Sequence, residues 1–432
     1  MNTCKGQDVH TRIIRFRRFT LLVFLGGLFI LGICSCDSGS RWLKGNMHTH
    51  TLWSDGNEFP EKVTGWYKAN GYDFLAITDH NILQGGEKWR RFPESDSLLL
   101  QYLAEYRNEG IEVRQDTAEE GFVEVKLKTL DEFGSRYEEP GRFLLIKGNE
   151  ISCKHAVHLT GFNQDEVIPP AEGSPEERIR MIREVVRKVY DYRASSGLIT
   201  FPVLAHPNFR WAITAEMMME VPELRFFEVY NGHPQVNNDG DIFRASTERI
   251  WDIVLAGRIS GGNNPLYALA TDDAHNYRGG GAGPGRGWIM VKSRTLSPQA
   301  ILQAMEKGDF YASTGVTVEK IKFNGKTIKV EIKPAEGARY LTEFIGTLKG
   351  FDPSGRPTTD STGLEIPNTT RVYSNQIGKV LASSEGVSPS YTFTGDELYV
   401  RIRITSTLDH IDPLLGIVLG KQKAWLQPIT GK

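Results

Sequence analysis

The feature that most restricts what this chain can fold into is a repeated alternation. Apolar runs of strand length alternate with helical patterns, and several runs end on histidine, aspartate or glutamate. The runs fall at 45–48, 74–78, 143–147, 159–162, 203–205, 226–229, 266–271 and 288–291. Several are apolar without a period of two, as expected of parallel strands covered on both faces. Between them, Pro60 opens PEKVTGWYKAN and Gly71 stops it. Ser174-Pro175 begins a segment in which Ile179, Ile182, Val185, Val186 and Val189 share one face, and Ser297-Pro298 begins QAILQAMEKG. This grammar predicts an α/β fold, either a barrel or a doubly wound sheet.

The polar residues are distributed with equal regularity. Asp79-His80 follow FLAIT, Glu150 follows LLIKGN, His206 follows VLA, Glu228 lies in FFEVYNG, and Asp272-Asp273-Ala274-His275 follow LALAT. Side chains at the carboxyl ends of successive parallel strands converge on one mouth, where such folds hold their chemistry. Core packing supplies no reason for that pattern. The densest stretch is NMHTHTLWSDG, from Asn46 to Gly56. If 44–48 is a strand, its pleat places His48 and His50 on one face, with Asp55 close behind. Imidazole and carboxylate together suit a divalent cation.

Composition restricts partners more than fold. The 432 residues are 40% hydrophobic and 24% charged, with a formal net charge of -2. There is no basic excess to hold a nucleic acid and no acidic tail. Residues 1–36 read as a leader: Arg12, Arg15, Arg17 and Arg18 precede an apolar run from Leu21 to Ile33, too short for a spanning helix. Ile33-Cys34-Ser35-Cys36 resembles a bacterial lipobox. That resemblance implies cleavage before Cys36, a diacylglycerol on its thiol, and an exported, membrane-anchored protein, with an uncleaved signal anchor as the alternative. The mature cysteines would be Cys36 and Cys153, which excludes a disulfide framework. Cys153 is expected to pack rather than to ligate.

Residues 37–43 read as a tether and 44–317 as the α/β domain, with a charged insertion at about 84–140. The insertion carries a helix signal, SLLLQYLAEYRNEG, and an alternating run, GFVEVKLKTL, and is either a solvated decoration or a lid. After Val318 the pattern changes. FNGKTIKVEI holds an Asn324-Gly325 hairpin signal and ELYVRIRIT alternates, so 318–432 is expected to be a small β-sandwich.

HTHTLWSDG, ITDHN, GNE, His158 eight residues after Glu150, LAHPN and DDAH, in that order, resemble the PHP (polymerase and histidinol phosphatase) family of metallohydrolases over about residues 46–315. The resemblance implies a distorted seven-stranded TIM-like barrel with two to three divalent metal ions, zinc, manganese or iron, and nine ligands. It implies that His48 and His50 hold one metal with Glu150 and Asp273. Glu150 bridges to a second, completed by His158 and His206, and Asp55, His80 and His275 hold the third. Asp79 and Asp272 would orient neighbouring ligands, and His155 would lie outside the site. Glu150, Asp55 and His206 are the expected catalytic groups.

Such a concentration of cationic charge would favour an anionic phosphoryl group. Water bridging two metals would have its pKa drawn toward about 7, giving a hydroxide nucleophile for a phosphate mono- or diester. Arg210 and Arg278, close after His206 and His275, are expected to grip phosphate. Asn208, Trp211, Tyr230 and Asn231 are expected to line the pocket, His233 is a loop histidine or a substrate contact, and His410 is expected at the surface. The run RGGGAGPGRG from Arg278 to Gly287 fits neither phosphate-loop pattern and reads as a flexible connection. Two rivals stand beside a phosphoesterase acting on a small phosphorylated substrate: a metal-dependent hydrolase of an amide-type bond, and a surface binding protein with structural metals.

Overall fold

The structure, a computed structural model, describes residues 39–431. The expectations for 1–36, the leader and the Cys36 lipid site, lie outside the described residues. Among those described, no helix is long and apolar enough to cross a membrane.

Seven strands form the arc that carries the site: β1 (Arg41–Asn46), β2 (Phe74–Ile77), β3 (Leu144–Ser152), β4 (His158–Phe162), β5 (Val203–Leu204), β6 (Phe226–Asn231) and β7 (Tyr267–Thr271). They are neighbours in chain order, parallel except where β4 runs antiparallel to β3 and β5. β8 (Trp288–Ser293) pairs antiparallel with β1, and β9 (Phe310–Ser313) follows it. The arc curls until β7 runs beside β8 and β9 without a ladder. At one rim Thr49, beyond the end of β1, forms a parallel bridge with Ala274, beyond the end of β7. The fold is thus a mixed α/β structure around a large sheet rich in parallel pairs.

The runs without a period of two have a direct explanation. Val203, Phe226 and Leu269 join a core inside the arc with Phe74, Ile146 and Phe162, while Leu204, Phe227 and Ala268 face outward to a second core. That second core is shared with the helices Arg178–Ser196 and Thr247–Ser260. Both faces are dry, so successive residues are apolar. The helix starting with Pro60 ends at Ala69, with Gly71 at positive φ.

Residues 84–140 hold a three-stranded antiparallel sheet (Trp89–Pro93, Val113–Gln115, Phe122–Lys126) and the helices Ser97–Tyr106 and Leu130–Tyr137. Their apolar residues Phe92, Leu99, Tyr102 and Val125 pack on Leu52, Trp53 and Phe59, in the loop that carries Asp55. The insertion therefore buttresses the rim of the site rather than standing free in solvent.

Two boundaries differ from expectation. Arg41 to Leu43, read as tether, are strand residues paired with β8. The strands after Val318 do not form a detached sheet: Val418–Thr430 pairs with β9 and carries the main sheet on through Glu397–Ile411, Tyr340–Leu348 and Lys379–Glu385. A small sheet of Val318–Phe323, Thr327–Ile332 and Ser390–Thr392 covers this extension over a core of Val330, Phe344, Val400 and Ile402. The Asn324-Gly325 turn joins the first two strands. Arg401, buried, clamps the extension to the Thr247–Ser260 helix through two bonds of 2.7 Å to the Asp252 carboxylate. Pairwise continuity and this buried ion pair tie the two halves together, which no local sequence signal reports.

Candidate metal centre

The geometry begins at Asn46. Its amide donates to the Gly287 carbonyl (2.9 Å), and its Oδ1 accepts from the His48 N–H (2.9 Å). The chain stays extended through the Thr49 bridge, so the pleat turns His48 and His50 to the same side. Thr49 turns away, its Oγ1 2.8 Å from the Tyr67 hydroxyl. Gly56 lets the loop fold back: a Cβ there would stand 2.7 Å from the His50 carbonyl carbon.

Glu150, near the end of β3, is the centre of the cluster. Its Oε1 lies 2.9 Å from His158 Nδ1 and 3.0 Å from His206 Nε2. Its Oε2 lies 2.8 Å from His80 Nδ1 and 3.4 Å from both His48 Nε2 and His50 Nε2. Asp273 Oδ1 stands 3.3 Å from His48 Nε2 and 3.1 Å from His50 Nε2. Asp55 stands 3.5 Å from His80 Nε2 and 3.4 Å from His275 Nε2. All nine expected ligands are therefore in one cluster. Three sets of donor atoms could each hold an ion: His48, His50 and Asp273; His48, Glu150 and His206; and His50, Asp55, His80 and His275.

The inner donors fit a cation by a separate criterion. His48 Nε2, His50 Nε2 and Asp273 Oδ1 are buried and have no hydrogen-bond partner, and Glu150 Oε2, 2.8 Å from His80 Nδ1, faces the same space. Buried polar atoms are almost always paired, so these three orphans, at 3.1–3.4 Å from one another or from Glu150 Oε2, describe a space shaped for an ion. His206 and Asp273 also sit at positive φ (26° and 50°), a backbone cost of about 1–3 kcal/mol each that concentrates at functional sites.

Electrostatics follow. Burial opposes charge on Glu150, yet His80, His48 and His158 hold its carboxyl well below the usual range. Asp273 is likewise buried and held well below it, by His48, His50 and His275. Burial works against protonated His48, but Asp273, Glu228 and Glu150 raise it well above the usual imidazole value. His80, opposed by burial and favoured by Glu150 and Asp55, rises to about 11. His50 falls to about 3 through burial and the nearby His275. Without a cation, protons on His48 and His80 offset the charge of Glu150 and Asp273.

One orienting group was not legible as such. Glu228 accepts from His48 Nδ1 (2.7 Å), from the His206 N–H (2.7 Å), from Thr271 Oγ1 (2.8 Å) and from Asn231 Nδ2 (2.7 Å). It fixes His48 so that Nε2 faces the centre. The signal was present, a lone carboxylate in FFEVYNG, but its partner is 180 residues away. Ser152 does the same for His80, its Oγ 2.6 Å from Nδ1. Among the described residues, Asp79 and Asp272, expected to orient ligands, bond directly to no ligand side chain, although Asp79 reaches His50 through Ser54, whose Oγ lies 3.4 Å from His50 Nδ1. Asp79 holds Thr51 and Ser54. Asp272 accepts the backbone N–H groups of Gly285, Arg286 and Gly287, so the far end of the glycine run, read as flexible, is pinned.

The expected substrate residues divide. Arg210 is exposed over the Phe209 ring (5.2 Å), which itself borders His206 and His158; among the described residues it meets no carboxylate. Arg278 is instead committed to Glu58 (3.1 Å) and Gln101 (3.2 Å). Asn208 is buried and donates to the carbonyls of Asn237 and Ala245. Tyr230 stacks on Trp425 and is turned toward the C-terminal strands. Trp211 packs under the Arg244 guanidinium, 4.9 Å from the ring centroid. His233 stands beside His275, ring centroids 5.5 Å apart. His155 is exposed, bonded to the Gly173 carbonyl. His410, expected at the surface, is buried against Tyr230 because the Glu397–Ile411 strand folds it inward. Cys153 is buried and unpaired, its Sγ accepting from the Ala171 N–H.

No protein-family model matches the chain, and no curated protein matches it. Two solved structures are similar at low identity. One, from Bacteroides vulgatus ATCC 8482, is a two-domain protein containing a predicted PHP-like metal-dependent phosphoesterase. It is 13% identical, with 90% of this chain and 96% of that one covered and a TM-score of 0.40. The other, from Bifidobacterium adolescentis ATCC 15703, is a candidate metal-dependent phosphoesterase, 14% identical, covering 61% of this chain and 94% of that one, with a TM-score of 0.27.

Proposed function

We propose that the protein is a PHP-type metal-dependent phosphoesterase that hydrolyses a phosphate mono- or diester, exported and anchored through lipid on Cys36. The observation that carries the reading is the set of three buried, unpartnered ligand atoms, His48 Nε2, His50 Nε2 and Asp273 Oδ1, gathered around the Glu150 carboxylate. His48, His50, Glu150 and Asp273 would hold one divalent ion, Glu150, His158 and His206 a second, and Asp55, His80 and His275 a third. Bound there, divalent ions lower the pKa of water and offset charge on phosphoryl oxygens.

The chain's own residues do the rest. Glu228 and Ser152 orient His48 and His80. Asp55, 58% exposed, and His80, 28% exposed, form the open side through which a substrate and water enter. An open side of this kind suits catalysis, since structural metal sites tend to be closed by protein ligands. Arg210, which among the described residues meets no carboxylate, lies over Phe209 beside His158 and His206 and would grip a phosphate oxygen.

Metal analysis of the purified full chain, paired with hydrolysis of nitrophenyl phosphate and bis-nitrophenyl phosphate, tests the proposal. We expect two to three bound divalent ions and metal-dependent turnover, with His48→Ala losing both. Equal, metal-independent turnover in the two proteins would overturn the enzyme reading.

A further inference from the structure

Beside the metal cluster lies a cavity of about 670 Å³, bounded on one side by residues 229–240 and on the other by the hairpin of Glu397–Ile411 and Val418–Thr430. It adjoins the cluster through two lining residues. Asn231 bonds Asp273 Oδ2 (3.1 Å), and His233 stands beside His275.

The hairpin wall has a pattern set by the pleat. Ile417, Leu419, Lys421, Lys423 and Trp425, every second residue, all line the cavity. The wall therefore grades from apolar through cationic to aromatic. Its cations are largely balanced within the protein: Lys421 by Asp409 (2.6 Å), and Arg403 by Glu248 and Glu343. The apolar end has no such cover. Leu415 is 39% exposed, Ile417 51% and Leu419 36%, although all three line the cavity. The facing wall supplies hydrogen-bonding groups from Asn237 and Asp239, while Asn238 is held by the Asn231 backbone. Leu415 also reaches the loop after His275, its Cδ2 3.7 Å from where a Gly279 Cβ would stand.

We propose that this cavity receives the organic part of the ester, and that the substrate is the phosphate ester of an amphiphile. Its apolar arm lies on Leu415, Ile417 and Leu419, and its hydroxyl-bearing or charged portion lies between Lys421, Lys423 and the wall of Asn237 and Asp239. The proposal rests on the phosphoesterase reading for the position of the phosphate, while the cavity itself does not depend on that reading. The C-terminal strands thereby act as a wall of the substrate site.

The test compares ethyl phosphate with octyl phosphate in the full-length, manganese-loaded protein, wild type against the double variant Ile417→Asp/Leu419→Asp. Both positions are exposed, so folding is spared. We expect wild type to favour octyl over ethyl phosphate in kcat/KM by about tenfold or more, as burial of several methylenes allows. The variant should bring the ratio near one through loss of the octyl phosphate advantage, with unchanged metal content and melting temperature reporting an intact fold. Ethyl phosphate turnover with no chain-length preference, or a preference the variant retains, overturns this inference and leaves the phosphoesterase reading standing. If neither ester is hydrolysed with any metal, the phosphoesterase reading stands or falls on nitrophenyl and bis-nitrophenyl phosphate, and calorimetric binding of octyl phosphate decides this inference: binding abolished in the variant supports the cavity, and absent or unchanged binding overturns it. A dimer lost in the variant with chain-length preference unchanged would assign the apolar strip to a second copy of the chain, and binding only to phosphatidylcholine vesicles would assign it to a membrane surface. Either overturns the proposal.

Discussion

The inner and outer parts of the cluster are built differently. His48, His50, Glu150 and Asp273 are buried and lie on or just past strands of the arc, with Glu228 behind His48. Asp55, His80, His158 and His275 are more exposed, and Asp55 rides on a loop held by the insertion. The inner part has its geometry paid for by the folding of the sheet. The outer part depends on loops and can change with less cost to the fold. The inner part should therefore set whether metal binds at all, and the outer part how many ions bind and what they meet.

The largest effect is expected at Glu150. Glu150→Gln removes the carboxylate that five imidazoles share, and activity should fall by at least about 10³-fold. Metal content should collapse at the inner and second positions together, read by elemental analysis. Retention of full metal content would break the distinction between inner and outer parts. Next is Glu228→Gln, which touches no proposed ion. Loss of the carboxylate frees His48 to rotate or change tautomer, and metal affinity should drop by about 10–100-fold. Titration of the metal-free protein measures it, and unchanged affinity would show that the strand alone fixes His48.

Much of this site could be read in the linear chain, and the reasons are physical. Most ligands follow a short strand, and parallel strands bring their carboxyl ends to one rim whatever the intervening length; His158 instead opens β4, whose antiparallel direction brings its start to the same rim. Strand positions were legible because both faces of the arc are dry. What was not legible depends on pairing between distant segments. Glu228 gave no sign that it would meet His48. Arg278 reads as a phosphate grip until Glu58 is seen beside it. His410 stands in an alternating strand whose irregular register, between Thr405 and Ile411, decides which side it faces. The boundary at Val318 reads as a change of grammar, whereas the sheet runs on through the ladder of β9 with Val418–Thr430.

A smaller effect is expected at the outer part. Asp55→Asn should lower metal content by one equivalent and leave the other ions in place, with activity reduced by about tenfold. Removing metal altogether with a chelator should cost more activity than this substitution. Loss of all ions from Asp55→Asn would mean that the loop and the sheet form a single cooperative site.

The smallest effect concerns pH, and its sign follows from the balance of protons. In the metal-free protein His48 and His80 are held above the ordinary imidazole value, so they carry protons near neutrality, while Glu150 and Asp273 are held below the ordinary carboxylate value. The raised histidines stabilise the metal-free fold fully below about pH 6.5, and that contribution fades as pH rises toward the folded value, about 11 for His80. The depressed carboxylates contribute above about pH 4 and lose that contribution below it. Divalent ions must displace the histidine protons, so binding releases protons and tightens as pH rises. The gain in Tm on adding manganese should therefore be larger at pH 8 than at pH 6. Calorimetry in buffers of different ionisation enthalpy should show proton release at pH 7. A gain in Tm independent of pH would mean that the bound ions do not replace protons on these imidazoles, and the inner cage would then be the wrong place to look for them.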